Sequence, residues 1–301
     1  MRPLYLLELL ILSALWGASF LFMREGAPQF GPIGLIAIRT AVATLVLLPF
    51  MMMSGQFRDC LRHWKAIFIV GLVNTAIPFC LFAYATLFLG AGYTSIINAC
   101  APMFAAIIAF TWLGERLSAS AIFGLLLGFS GVIVLVLGRG YQTDSIVILP
   151  VVAGLGATFL YGLAVCLTKR YLTGVRSLAI ATGSQFFSAI CLLPLAFYYW
   201  PASMPTATAW WQVAVLGIAC TGIAYILYFR LIANVGIRNA VSVAYLVPVF
   251  GLLWGAVFLA EQITLTMLVG AVTIMLGVSL TSGLLQARIR RLKPTVANRP
   301  V

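Results

Sequence analysis

Charge is what this chain of 301 residues has least of. Asp, Glu, Lys and Arg together make up 8% of it, and only six residues are acidic. A soluble domain carries about 25% charged residues. A chain that is 63% hydrophobic, with a mean hydropathy of +1.11, cannot cover itself with groups that water solvates. Histidine is nearly absent: His63 stands alone in a basic stretch. No carboxylate pair lies in one apolar run, and Cys60, Cys80, Cys100, Cys166, Cys191 and Cys220 show no CxxC spacing. Acid–base pairs, metal centres and activated nucleophiles therefore lack the residues they need. Most of the cysteines fall in apolar runs, where a thiol behaves as a small hydrophobe. Without a glycine-rich phosphate loop or a soluble domain, an ATP-driven pump is excluded as well. The expectation is a chain that is not an enzyme and uses no cofactor or metal.

What is present is a series of long apolar runs. About 20 apolar residues cross the hydrocarbon of a bilayer as a helix, and a helix satisfies its own backbone there. The runs between charges predict ten spans, over 4–23, 31–53, 66–89, 93–113, 119–137, 147–168, 177–199, 210–229, 239–259 and 263–282. Arg2 before an apolar stretch resembles a signal peptide. Glu8 interrupts that stretch, however, and Ser13–Gly17 lines up with Thr158–Gly162, so it is read as the first span. The fold class expected is an all-α integral membrane protein of ten transmembrane helices.

The net charge of +12 is explained by where the cations sit. With a cytoplasmic N-terminus, all of the 18 Lys and Arg except Arg24, Arg39 and Arg139 fall on inner loops and tails. This is the positive-inside bias, and it requires no nucleic acid. Both termini are expected in the cytoplasm. The basic tail, 283–301, reads as an anchor for acidic lipid headgroups.

The stretch Tyr93–Gly138 is written again 146 residues later. Trp64–Gly131 set against Trp210–Gly277 matches Trp64/Trp210, Gly71/Gly217, Thr75/Thr221, Pro102/Pro248, Glu115/Glu261 and Gly124/Gly270. Two five-helix units are expected, 4–138 and 147–282. Five is odd, so the second copy enters the membrane from the opposite side. Such inverted repeats are characteristic of secondary transporters.

Trp16-Gly17, Arg39, the proline-containing fourth and ninth runs and the hinge Leu113-Gly114-Glu115-Arg116-Leu117 resemble the EamA-type branch of the drug/metabolite transporter superfamily. The resemblance spans about residues 4–282. It implies a ten-helix, multi-pass carrier of the bacterial inner membrane that exports small metabolites, such as amino acids or amphipathic drug-like compounds. It also implies a central cavity lined by helices 1–4 and 6–9, with 5 and 10 outside. Many members place an acid before the ninth-helix proline. Here that residue is Val247, so no coupling role is carried over. The competing class is a structural or receptor-like membrane protein without transport.

Polar groups at mid-membrane are the default candidates for a site. Arg39 lies about eight residues into the second run, so ~12 Å deep. It could grip a substrate carboxylate or simply lock its helix in place, and Gln185 or Ser184 holds the equivalent place in the seventh run. Asn74, Thr75, Asn98, Tyr225, Ser242 and Tyr245, with Trp16 and Tyr161 at matched positions, complete the substrate-binding candidates. Aromatic walls with a few hydrogen-bonding groups suit an amphipathic metabolite. Trp64, Tyr84, Trp200, Trp210 and Trp211 fall near run ends as interfacial anchors. Pro102 and Pro248 each remove a backbone donor and are candidate gates. Gly124 and Gly128, and the small residues Gly154, Thr158 and Gly162, permit close helix approach, within one chain or in a homodimer. Glu8 is the one acid inside a run. Glu115 and Glu261 are expected to cap the fifth and tenth helices.

Overall fold

The computed structural model describes residues 3–138 and 148–282. The basic tail, Arg139 and Asp144 lie outside the described residues. The described residues form nine apolar helices: α1 Pro3–Met53, α2 Trp64–Leu89, α3 Ala91–Leu113, α4 Ala119–Gly138, α5 Ile148–Tyr171, α6 Ser177–Tyr198, α7 Ala207–Val235, α8 Val243–Leu259 and α9 Leu265–Thr281. Seven are long and apolar enough to cross a membrane, while α8 and α9 are shorter. Short helices Phe57–Arg62 and Ile237–Ala240 precede α2 and α8. The described residues contain no strand.

Helix α1 covers the first two predicted runs, and it is two helical arms meeting at Gly31, with φ 69° and ψ 157°. The cause is local. Pro32 disfavours helical geometry at the residue before it, and glycine alone adopts the resulting positive φ cheaply. The first arm outlasts the predicted end at residue 23 because Arg24 finds partners. Its guanidinium donates to the carbonyls of Thr86, at 3.1 Å, and Leu87, in the last turn of α2, where carbonyls lack a full set of intrahelical partners.

Several local features recur at the 146-residue interval. A π-helical turn interrupts α2 at Leu72–Ala76 and α7 at Ile218–Ile223. Gly90 and Gly236 both end a helix with positive φ, 86° and 81°. Gly114 and Ala260 both close a helix in the left-handed conformation, and the amides of Glu115 and Glu261 reach back to the carbonyls of Ala109 and Gly255. The breaks near the prolines do not match. The chain turns at Ala99–Cys100, directly before Pro102, but at Val241–Ser242, well before Pro248, which stays inside α8.

Helix α1 packs on α2, α6, α7 and α8, while α5 packs on α2 and α3. Helix α4 pairs extensively with α9. Its cause is glycine: a Cβ on Gly277 would sit 2.5 Å from the Gly128 nitrogen and 2.6 Å from the Gly124 oxygen. The Gly124/Gly128 step is thus occupied within the chain itself.

Candidate functional site

A cavity of about 320 Å³ opens among α1, α2, α3, α5, α7 and α8. No residue of α4, α6 or α9 lines it. The absence of α6 departs from the expected lining. Its wall is largely aromatic. The Trp16 ring lies 5.2 Å from that of Tyr228 and 6.3 Å from that of Tyr225, and Tyr161 packs on Phe82 at 5.6 Å. Asn74 and Asn98 supply amides to the wall, and Arg39 its one charge.

Arg39 is 4% exposed. Its Nε donates to Thr221 Oγ1 at 2.9 Å, and Nη1 approaches Met23 Sδ at 3.6 Å. The guanidinium carbon lies 3.9 Å from the centre of the Phe79 ring. Thr221 sits in the π-helical turn of α7 and donates in turn to the Leu216 carbonyl at 2.8 Å. The hydroxyl is thereby held with a lone pair toward Arg39. At the matched positions stand two buried neutral groups, Gln185 and Thr75, and the Thr75 hydroxyl has no hydrogen-bond partner among the described residues. The arginine–threonine pair of one repeat is thus a neutral glutamine and threonine in the other.

The structure brings Trp16, Arg39, Asn74, Asn98, Tyr161 and Tyr225 to one wall. Gln185 is fully buried behind it, where its amide and that of Asn74 approach the Tyr225 hydroxyl. Ser242 and Tyr245 are not on the wall. Ser242 lies in the turn before α8, and the Tyr245 hydroxyl is 3.1 Å from Ser282 Oγ. The turn at Val241–Ser242 sets this register, and it puts Ala244 and Val247 on the wall instead. Pro102 lines the cavity, whereas Pro248 is buried in α8 away from it. Sequence reasoning missed Phe79, Phe82 and Tyr228. Tyr228 had a signal, since it stands three residues after Tyr225 on the same helical face.

The two ends of α3 differ. At its start, Glu261 accepts hydrogen bonds from the Ala91 amide at 2.7 Å and the Gly92 amide at 2.9 Å. A Cβ on Gly90 or Gly255 would lie 2.6 or 2.5 Å from this carboxylate, so both positions need glycine. Glu261 therefore caps α3, not the last helix as expected. Helix α9 is capped by Thr264, which accepts from the Met267 amide, and Ser118 accepts the Ala121 amide at the start of α4. A Ser or Thr hydroxyl reaches its own helix three residues on, which leaves the acid free to reach another. At the far end of α3, Glu115 pairs with Lys169 in a bridge exposed on both sides. Glu8 has its own cation, Arg230 Nη2 at 3.0 Å. Among the described residues, no three His, Cys, Asp or Glu side chains converge as metal ligands.

Comparison with known proteins places this geometry. The profile of the EamA-like transporter family matches residues 4–137 and again 148–283. The transporter YoaV of Bacillus subtilis, described as uncharacterized, is 21% identical over 276 residues, covering 91% of this chain and 94% of that one. A probable terminal-alkyne amino-acid exporter of Streptantibioticus cattleyicolor is 27% identical over 270 residues, covering 88% and 89%. The uncharacterized inner membrane transporter YedA of Escherichia coli K12 is 25% identical over 255 residues, covering 82% and 80%. A protein crystal structure superposes with a TM-score of 0.67 at 17% identity, covering 96% of this chain and 99% of its own, which speaks to the fold alone.

Proposed function

The chain belongs to the EamA-like transporter family and is a membrane transporter; from that premise we propose that it is a secondary carrier, working by alternating access between two inverted five-helix repeats. In this reading the arms of α1 are separate spans, giving ten, and both termini face the cytoplasm. The cargo is a small metabolite such as an amino acid or an amphipathic compound, exported across the inner membrane. Related chains described as an amino-acid exporter and an inner membrane transporter support the class and the compartment.

The observation that carries the reading is the unequal treatment of two equivalent ends. Glu261 ties the α8–α9 turn to the glycine turn at Gly90. Glu115, 146 residues earlier, stands in the same relation to the glycine turn at Gly236, yet its carboxylate is spent on Lys169. One end is latched and its equivalent is not. Exchanging the two conditions would give the opposite-facing state, with Glu115 on the amides after Gly236. By the expected topology, Gly90 is outside, so the conformation is closed outward.

Purified protein in proteoliposomes should accelerate counterflow of radiolabelled amino acids or amphipathic compounds above protein-free vesicles. No flux across such a panel would favour the receptor-like alternative.

A further inference from the structure

We propose that the cavity takes a small carboxylate carried on an apolar or aromatic body, with Arg39 as the fixed counter-charge; this rests on the carrier reading and names the cargo class. A guanidinium has five N–H donors. Thr221 and Met23 take one donor each from Nε and Nη1. Nη2 has no acceptor among the described residues and is not sealed off in the protein interior, so it remains open to the cavity. The first neighbours of the charge are a hydroxyl, a thioether and a ring. None carries a negative charge.

Among the described residues no acid lines the wall, and Glu25 is exposed. Glu8, Asp59 and Glu115 are each paired with a cation elsewhere, and Glu261 is on amides. A buried cation without an anion is unfavourable in a membrane interior. A purely structural role accounts for the Nε edge, which pins α1 to the π-helical turn of α7. It does not account for the open edge. The same pin holds the guanidinium plane still, so the open edge is presented in one orientation, and a carboxylate matches that fork bidentately. The body of the ligand would then rest among Trp16, Tyr161, Tyr225 and Tyr228, with the amides of Asn74 and Asn98 for a remaining polar group. Since Gln185 replaces the cation at the matched position, the cavity holds one such anion.

The test compares four compounds of one shape: phenylacetate, L-phenylalanine, phenethylamine and phenethyl alcohol. Thermal unfolding of the purified chain should be raised by the first two and left unchanged by the last two. Arg39→Lys keeps the charge but not the fork, and Arg39→Gln removes both. Each should weaken half-saturation by phenylacetate about 10- to 100-fold. If these variants fail to fold, the wild-type order decides. Equal stabilisation by acid, amine and alcohol would overturn the proposal, as would unchanged phenylacetate affinity in a folded Arg39→Gln protein. Counterflow of phenethylamine without phenylacetate would overturn the carboxylate while leaving the carrier. Acid-selective stabilisation with no flux of any compound would keep the anion site and overturn the carrier.

Discussion

The Glu261 latch makes a directional prediction. Glu261→Gln preserves shape and one acceptor oxygen but removes the charge and opposes an NH2 group to a backbone donor. A hydrogen bond to a charged group is worth about 1.5–3 kcal/mol and a neutral one about 0.5–1.5. Losing one charged bond and neutralising the other would cost about 2–4 kcal/mol in a fully buried setting. Glu261 is only half-buried, so solvent screening reduces this to about 1–2 kcal/mol. That shifts the balance between the two facing states roughly 5- to 30-fold toward outward-open. The reporter is Asn98→Cys on the cavity wall, in a cysteine-free background, labelled from outside by a membrane-impermeant maleimide. Glu261→Gln should raise the labelling rate by that factor. Glu115→Gln should lower it, because Glu115 would hold the opposite state, and its present exposed bridge to Lys169 contributes little. An unchanged rate in a folded Glu261→Gln protein, or shifts of both variants in one direction, refutes the latch.

Two further outcomes follow from packing and topology. Gly277→Ala drives a methyl group into the backbone of Gly124 and Gly128 and should destabilise the protein by about 1–3 kcal/mol in detergent unfolding. Gly156→Ala, whose Cβ meets only Leu81 at 3.8 Å, should be neutral or better. For topology, single cysteines at Thr173 and Met204, on the loops at either end of α6, should label from the cytoplasm and from outside respectively. Labelling from one side would rule out the proposed orientation of α6.

The helices were readable because each residue in hydrocarbon must be apolar and each backbone group paired, which writes long uninterrupted runs into the chain. Cavity residues on continuous helix, such as Trp16, Arg39 and Tyr161, could be singled out because a polar or amphipathic side chain at mid-run has few bland explanations. Ser242 and Tyr245 could not be aimed, since the turn just before α8 rotates everything after it. The end of the first arm was hidden because Arg24 looks like a boundary until its carbonyl partners, some 60 residues away, are known. Glu261 is the clearest failure. Its neighbours suggest a local cap, and nothing nearby in sequence announces the amides of Ala91 and Gly92.

The contact between Arg39 and Thr221 spans 182 residues, which bears on how the chain is made. At about 5–20 residues per second, roughly ten to forty seconds separate the synthesis of these two residues. Throughout that interval the guanidinium lacks the hydroxyl that receives it in the finished chain. The early helices must therefore be sheltered by the insertion machinery, or held with Arg39 near headgroups, until α7 arrives. Damage to α7 would then appear first as degradation of unfinished chains. The same interval makes the first half an unsuitable fragment to express alone.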